Sequence, residues 1–147
     1  MKKVVASGLI KFGLFAAMVV MAAGATAKAQ SLQYRLTVNI PFDFTVTDKK
    51  LPAGKYSISR AQQSNGDLVV QISSENGKES VARLTIPVVT REPANEGMLV
   101  FHQYEGEYFL YEIWPAGGQT GRALLKSRTE RELEQKDDVK IARVVFR

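Results

Sequence analysis

Apolar residues occupy every second position of one segment near the start of the chain, from Tyr34 to Val46. They are Tyr34, Leu36, Val38, Ile40, Phe42, Phe44 and Val46. Successive side chains of a strand point to opposite faces, so the pattern predicts a half-buried β-strand. Pro41 has no N–H to donate to a ladder and therefore predicts an edge position or a bend. We expect Phe42 and Phe44 in the core and Asp43 in solvent.

Turn residues interrupt the same alternation further along the chain. Pro52-Ala53-Gly54 and Asn76-Gly77 are turn sequences, and Asn65-Gly66 is a further hairpin candidate. Short strands between such turns are typical of sandwiches and barrels. We expect an antiparallel all-β fold of about seven strands, a sandwich or a partly open barrel, with one helix before the last strand. A lipocalin-like barrel is the alternative fold, although the Gly-x-Trp signature of that family is missing near the first strand.

The segments from Met98 to Tyr104 and from Tyr108 to Trp114 predict a hairpin with the three-residue loop Glu105-Gly106-Glu107. In that register one face is strongly apolar and is assigned to the core; it carries Leu99, Phe101, Phe109, Tyr111 and Ile113. The opposite face carries Met98, Val100, His102, Tyr104, Tyr108, Leu110, Glu112 and Trp114. His102, Tyr104, Tyr108 and Trp114 are therefore a possible surface for a macromolecular partner or for an apolar or carbohydrate ligand. Alternatively, the helix covers these rings.

The predicted helix lies in the segment "ALLKSRTERELEQKDD", from Ala123 to Asp138. Ser127 and Glu130 have the spacing of a capping box, in which each side chain bonds the other residue's backbone N–H. Leu125, Thr129 and Leu133 share one face, and this thin stripe favours a helix on the protein surface. The segment "VKIARVVFR" after it predicts the last strand.

The first 29 residues have the features of a secretory signal peptide. Basic residues precede an apolar run from Phe12 to Ala25, and Ala27-Lys28-Ala29 fits the cleavage pattern. We expect a single β-rich domain of residues 30–147, exported to the periplasm or the medium. A membrane anchor is the alternative, but the run is shorter than the roughly 20 residues that span a bilayer. The mature form is therefore not expected to span a membrane.

Charge and cysteine content exclude several classes of function. The chain has 20 basic and 15 acidic residues, and four of the basic ones precede residue 30, so that 16 basic residues remain. Residues 30–147 therefore carry 16 basic and 15 acidic side chains, a net charge of +1, which gives no support for nucleic-acid binding. The chain has no cysteine, which excludes disulfides, thiol catalysis and thiolate metal sites. Neither a cofactor nor a metal site is expected.

His102 is the one histidine of the chain, so a Ser-His-Asp type of hydrolase would have to use it. Glu112 lies diagonally from it in the predicted register and could orient the ring. No Gly-x-Ser-x-Gly elbow is present, and an ordinary strand histidine is the simpler interpretation. The segment from Gly117 to Arg122, "GGQTGR", lacks the Gly-Lys-Ser/Thr ending of a phosphate loop and is interpreted as a connector.

The segments "VNIPFDFTVTDKKLPAGKYSI" and "GRALLKSRTEREL", together with the signal peptide, resemble an uncharacterised family of small secreted proteins of the acidobacterial type. The resemblance implies export and a β-rich fold, and it transfers no catalytic residue. We expect an exported envelope or secreted protein that is not an enzyme and acts as a binding or structural module. A lipocalin-like carrier of an apolar small molecule is the alternative, and a hydrolase using His102 is the least favoured hypothesis.

Overall fold

The computed structural model describes residues 35–62, 68–93 and 95–146. The signal-peptide prediction and the Asn65-Gly66 turn lie outside the described residues. The elements are β1 Arg35–Ile40, β2 Phe44–Val46, β3 Lys49–Leu51, β4 Gly54–Gln62, β5 Leu68–Ser74, β6 Ser80–Val89, β7 Gly97–Tyr104, β8 Glu107–Trp114, β9 Thr120–Leu124, α1 Arg128–Glu134 and β10 Lys140–Phe146. The predicted fold class is confirmed: the described chain is mostly β, and one short helix precedes the last strand.

The strands form one open mixed sheet in which β8 is central. The hydrogen-bonded order is β1-β4-β5-β6-β9-β8, and β8 continues on its other edge to β7 and then β10. Strand β6 joins the two halves, because Ser80–Leu84 pairs with β5 and Thr85–Val89 pairs with β9. Strands β1 and β10 lie against each other without a ladder between them. The sheet therefore curls around its core as a partly open structure with ten strands.

The alternating segment from Tyr34 to Val46 is interrupted at Pro41, between the end of β1 and the start of β2. The break is expected, because proline has no N–H to donate to a strand ladder. Strand β1 pairs antiparallel with β4, whereas β2 pairs with β3 and runs parallel to β8. Phe44 is fully buried and Phe42 is half-buried. Asp43 is exposed as expected, but its Oδ1 also accepts a hydrogen bond from the N–H of Ala53, 2.8 Å away. This bond ties the bend to the turn before β4, where Gly54 has a φ of 153°.

Side chains from both halves of the sheet meet in one core on the inner face. The largest of them are Tyr56, Phe44 and Phe101, each exposed by 1% or less. All ten strands contribute residues to this cluster. One face of the curled sheet supplies this cluster, and we call it the inner face. The opposite face points away from the core, and we call it the outer face.

The β7–β8 hairpin differs from the predicted register. Its loop has two residues, Glu105 and Gly106, both with positive φ, and Tyr104 pairs with Glu107 instead of Tyr108. Positive φ at both central positions is what a two-residue type I′ loop requires. A register shift between Val100 and Phe101 leaves Tyr111 as an extra residue in β8.

The shorter loop and the bulge reassign four side chains of β8: Tyr108, Phe109, Leu110 and Tyr111. Tyr111 was predicted in the core but lies on the outer face, where it stacks on His102. The predicted faces hold beyond the bulge, where Ile113 is on the inner face and Trp114 on the outer one. Before the bulge they are reversed: Leu110 joins the core beside Phe101, and Phe109 pairs with His102. Tyr108 likewise packs against the inner core instead of lying beside His102. A slip of one residue exchanges the faces of every side chain until a bulge restores them.

Candidate functional site

The four residues predicted as a partner surface do not form one surface. Three of them, His102, Tyr104 and Trp114, lie on the outer face of β7 and β8, and their exposed fractions are 7%, 0% and 9%. Tyr108 is on the inner face, where its ring stacks on Phe42 with centroids 3.9 Å apart. Its hydroxyl accepts a hydrogen bond from Gln103, 3.2 Å away. Tyr108 therefore does not belong to this site, and Tyr104 is not accessible to a partner.

Helix α1 covers one end of the outer face, which is the alternative that the sequence had left open. Ser127 is its N-cap, and the Oγ atom accepts from the backbone N–H of Glu130, 3.0 Å away. The predicted capping box is therefore only half formed, because the Glu130 side chain contacts His102 instead of the backbone N–H of Ser127. The Glu130 side chain is 3% exposed and contacts His102, with Oε1 3.1 Å from Nδ1. The helix is thus attached to the sheet by a buried polar contact.

His102 is enclosed on three sides by groups that fix its ring. Glu130 contacts Nδ1, the hydroxyl of Tyr104 lies 3.5 Å from the same nitrogen, and the ring of Tyr111 stacks at a centroid distance of 3.9 Å. The predicted partner Glu112 does not contact His102; it accepts a hydrogen bond from the indole N–H of Trp114, 2.8 Å away. A carboxylate on Nδ1 fixes the tautomer and orientation of a histidine. Among the described residues, these contacts of His102 include no serine or threonine hydroxyl that could act as a nucleophile.

Ionisable groups of the helix segment surround this pair. Burial raises the pKa of Tyr104, and so the phenol stays neutral well into the alkaline range. Burial lowers the pKa of Lys126, but the hydrogen bond to Glu134 and nearby negative charges outweigh it and raise the pKa overall. The same hydrogen bond lowers the pKa of Glu134. Lys126 also lies over the ring of Tyr111, 5.8 Å from its centroid. The ion pair joins the residue before the N-cap to the last residue of the helix, and the cation–π contact with Tyr111 holds this segment over the sheet.

Beyond the helix, the outer face of β7, β8 and β10 forms a groove of about 510 Å³, which we call the outer groove. Met98 and Val100 of β7 form its floor, and His102 closes it at the end beneath the helix. Trp114 and Ile141 line opposite sides. The loop after β6 closes the other end with Thr90, Glu92 and Pro93. The volume falls within the range of known ligand sites, but this groove is open along its outer side.

Exposed apolar residues flank the outer groove on both sides. Ile141 and Val145 of β10 are 45% and 53% exposed. On the other side, Ile86 of β6 pairs with Ala123 of β9, which pairs with the groove residue Glu112, and Ile86 is 51% exposed. Strand pairing places Val145 beside Met98 and Ile141 beside His102. Apolar side chains thus continue from the groove onto the surrounding surface, which is a feature of interaction sites.

A second groove, of about 380 Å³, lies on the outer face of β1, β4 and β5. Its lining is mostly polar and includes Ser57, Ser59, Gln71 and Ser73. Gln71 and Ser73 both contact the hydroxyl of Ser80, so part of this polar surface is already satisfied. These outward residues of half-buried strands are what a solvated face requires, and we assign them no further role.

The glycine-rich segment before the helix has a packing explanation. Gly121 lies beneath the indole of Trp114, and a Cβ atom at this position would lie 2.6 Å from Cδ2. Its neighbour Gly117 has a φ of 71° in the turn before β9. The described residues contain no group of three or more potential metal ligands. They also contain no helix that is long and apolar enough to cross a membrane.

Sequence reasoning missed Glu130, Ile141 and Arg143 as parts of the site. The capping-box pattern had predicted that the Glu130 side chain bonds the backbone N–H of Ser127. The last strand was predicted, but the sequence did not show that it pairs with β7. The alternation of Ile141, Arg143 and Val145 could have indicated one outward face, but not which strand lies beside it.

Comparisons with known proteins add no functional information. No family model matches the chain, no curated protein is similar to it, and no solved structure resembles the fold.

Proposed function

We propose that the protein is an exported, non-enzymatic binding module that docks a segment of another protein in the outer groove. The observation that carries the proposal is the exposed apolar surface of Ile141 and Val145 beside half-buried Met98. Val100 and Trp114, 7% and 9% exposed, form the already shielded floor and far wall of the same groove. The inner face of the same strands already packs against the core. Apolar residues on the second face of a sheet are stabilised when a partner removes them from water.

The shape of the groove favours a macromolecule over a free apolar ligand. The groove is open along its length, so a small molecule within it would keep one side in water. A partner protein would also cover flanking residues such as Ile86 and Val145, which are about half exposed. Removing apolar surface from water contributes about 25 cal/mol per Å². Contact that extends beyond the groove therefore adds favourable free energy that a small ligand would not gain.

A lipocalin-like carrier has weaker support. Such a carrier needs an enclosed apolar cavity, whereas the inner face of the described sheet carries a packed cluster of large side chains. Tyr56, Phe44 and Phe101 are all in this cluster and are almost completely buried. A ligand in the interior would have to displace them.

The environment of His102 gives it a structural role in this proposal. The ring joins β7 to the helix through Glu130, at one end of the groove. Both side chains are almost inaccessible, which suits an anchor better than a group that meets a substrate. Export rests on the signal-peptide pattern and the family resemblance, and it is tested separately. A processed protein that begins near Gln30 outside the cytoplasm is expected, whereas an intact Met1 terminus in the cytosol would contradict export.

The docking proposal is tested by selecting binders from a displayed library of random peptides against the purified protein. Trp114 is the one tryptophan of the chain and lines the groove, so its fluorescence reports binding directly. Ile141→Lys is expected to remove binding of the selected peptides. Val139→Lys is the matched control, because Val139 is 43% exposed on the same stretch of chain but does not line the groove. Selected peptides that bind the two variants and the wild type equally well would contradict the proposal.

A further inference from the structure

Two side chains of opposite charge lie on opposite sides of the outer groove. Arg143 of β10 pairs with Val100 of β7, and Val100 pairs with Glu112 of β8, so the three residues form one row across the sheet. All three line the groove. The outer strands of the row are two strand spacings apart, about 10 Å. The groove therefore has a cationic wall, an apolar floor and an anionic wall at the same level.

The two charges are not paired with each other. Within the described part of the chain, Arg143 has no ion pair or hydrogen bond, and its side chain is exposed. Glu112 has one carboxylate oxygen, Oε2, on the indole N–H of Trp114, so Oε1 remains as an acceptor. The neighbouring ionisable group at the helix end, His102, is engaged by Glu130. Arg143 and Glu112 are therefore the charged groups that face each other across the floor, and Glu92, the third charged residue of the lining, lies in the loop that closes the end of the groove.

The geometry also limits the conformation of the occupant. From Met98 to His102 the floor spans four residue steps of a strand, about 13 Å. An extended segment of four residues covers this length, and its side chains point alternately to one wall and the other. Neighbouring side chains of such a segment would thus reach opposite walls. In the row above Arg143 and Glu112, Trp114 is the wall on the β8 side and Val145 flanks the groove on the β10 side. Towards His102, Ile141 is the wall on the β10 side and the bulged Tyr111, which stacks on His102, is the wall on the β8 side.

We propose that the occupant is an extended peptide segment of a partner protein with the order apolar–acidic–basic–apolar. The acidic side chain pairs with Arg143, and the basic side chain pairs with Glu112. The outer two side chains lie on Trp114 and Ile141. This inference rests on the proposed function and specifies its partner chemistry. Charge complementarity of this kind selects a partner and orients it, and the apolar contacts supply the remaining affinity.

Three capped tetrapeptides test the inference on the full purified protein: Leu-Glu-Lys-Leu, Leu-Gln-Gln-Leu and Leu-Lys-Lys-Leu. Binding is followed by the NMR shift of the Trp114 indole N–H and by fluorescence. For the wild type, the Glu-Lys peptide is expected to bind about fivefold more tightly than the neutral peptide, as a partly exposed ion pair contributes. Arg143→Glu gives the groove two acidic walls. This variant is expected to bind the Glu-Lys peptide more weakly and the Lys-Lys peptide more tightly than the wild type does, and to bind the neutral peptide with unchanged affinity.

The controls separate this inference from the docking proposal itself. Lys50→Glu changes an exposed charge outside the groove and is expected to leave the order of the three peptides unchanged. If all three peptides bind the wild type equally and Ile141→Lys abolishes binding, the charge inference is wrong and apolar docking stands. If no peptide shifts the Trp114 signal, both proposals fail. Self-association of the wild type that Arg143→Glu removes would show that a second copy is the occupant, and this outcome would also overturn the inference.

Discussion

The carboxylate of Glu130 in α1 lies 3.1 Å from Nδ1 of His102 in β7, and both side chains are almost fully buried. Glu130 is the one buried residue of the seven-residue helix. A helix of this length is marginal by itself and depends on tertiary contacts. The buried pair, together with the Ser127 cap, therefore decides whether the helix covers Tyr104 and the end of the outer groove.

Replacing Glu130 is expected to destabilise the protein more than replacing any exposed acid of the helix. Glu130→Ala leaves His102 buried without its partner and should lower the free energy of unfolding by about 2–4 kcal/mol. Glu132→Ala removes only an exposed contact with Arg128 and should cost less than about 0.5 kcal/mol. Urea denaturation of the two variants measures the difference. Equal midpoints would show that the helix is held by other contacts.

Phe44 and Asp43 are neighbours with opposite environments. Phe44→Ala creates a cavity among fully buried side chains and should cost about 3–5 kcal/mol. Asp43→Ala removes the acceptor for the N–H of Ala53 and should cost about 0.5–1.5 kcal/mol, more than an exposed position without a contact. Asn39→Ala, at an exposed position of β1, is the control. A stable Phe44→Ala protein would indicate that this segment is a binding surface instead of core.

Gly121 is required by close packing. In Gly121→Ala, the new methyl group would lie 2.6 Å from the indole of Trp114, so the ring or the strand must move. We expect a loss of about 1–3 kcal/mol and an altered fluorescence spectrum of Trp114. Thr120→Ala changes an exposed neighbour and should alter neither. An unchanged spectrum in the Gly121 variant would contradict the contact.

The ion pair between Asp48 and Arg83 predicts a dependence of stability on pH. The hydrogen bond and the charge of Arg83 lower the pKa of Asp48 below its ordinary value of 3.8. A lowered folded-state pKa contributes stability above the unfolded-state value, and this contribution is lost as the pH falls through the folded-state pKa. Wild type should therefore be more stable than Asp48→Asn at neutral pH, with the difference beginning to decline at about pH 4 and disappearing only below the lowered folded-state pKa of Asp48.

Asp138→Asn, at an exposed acid near the end of the helix, is the control for this titration. Its stability should follow that of the wild type over the same range of pH. High salt should reduce the effect at Asp48, because this carboxylate is exposed to solvent and therefore screened. A difference between wild type and Asp48→Asn that persists unchanged at acidic pH would show that the asparagine fails for a reason other than charge.

Local patterns alone determined the first strand, its bend and the helix start. Strand β9 was missed, because Gly117 to Arg122 was interpreted as a connector and Ala123 and Leu124 as part of the helix segment. The alternation from Tyr34 to Val46 assigned Phe44 to the core, because side chains of a strand point alternately to its two faces. Pro41 divided that segment because it lacks a backbone donor. Ser127 capped the helix through the N–H of a residue only three positions away. Each of these features depends on neighbouring residues, and neighbouring residues are what a sequence pattern reports.

Contacts between distant segments decided everything that gives the site its form. The two-residue loop and the bulge at Tyr111 moved Tyr108 to the inner face, although the residue pattern allowed either register. Glu130 contacts His102 across 28 positions, and Arg143 reaches the groove because β10 pairs with β7. Which strands meet, and in which register, depends on the free energy of packing the whole sheet around one core. That free energy is not a property of any one segment, so the outer groove could be recognised only from the tertiary structure.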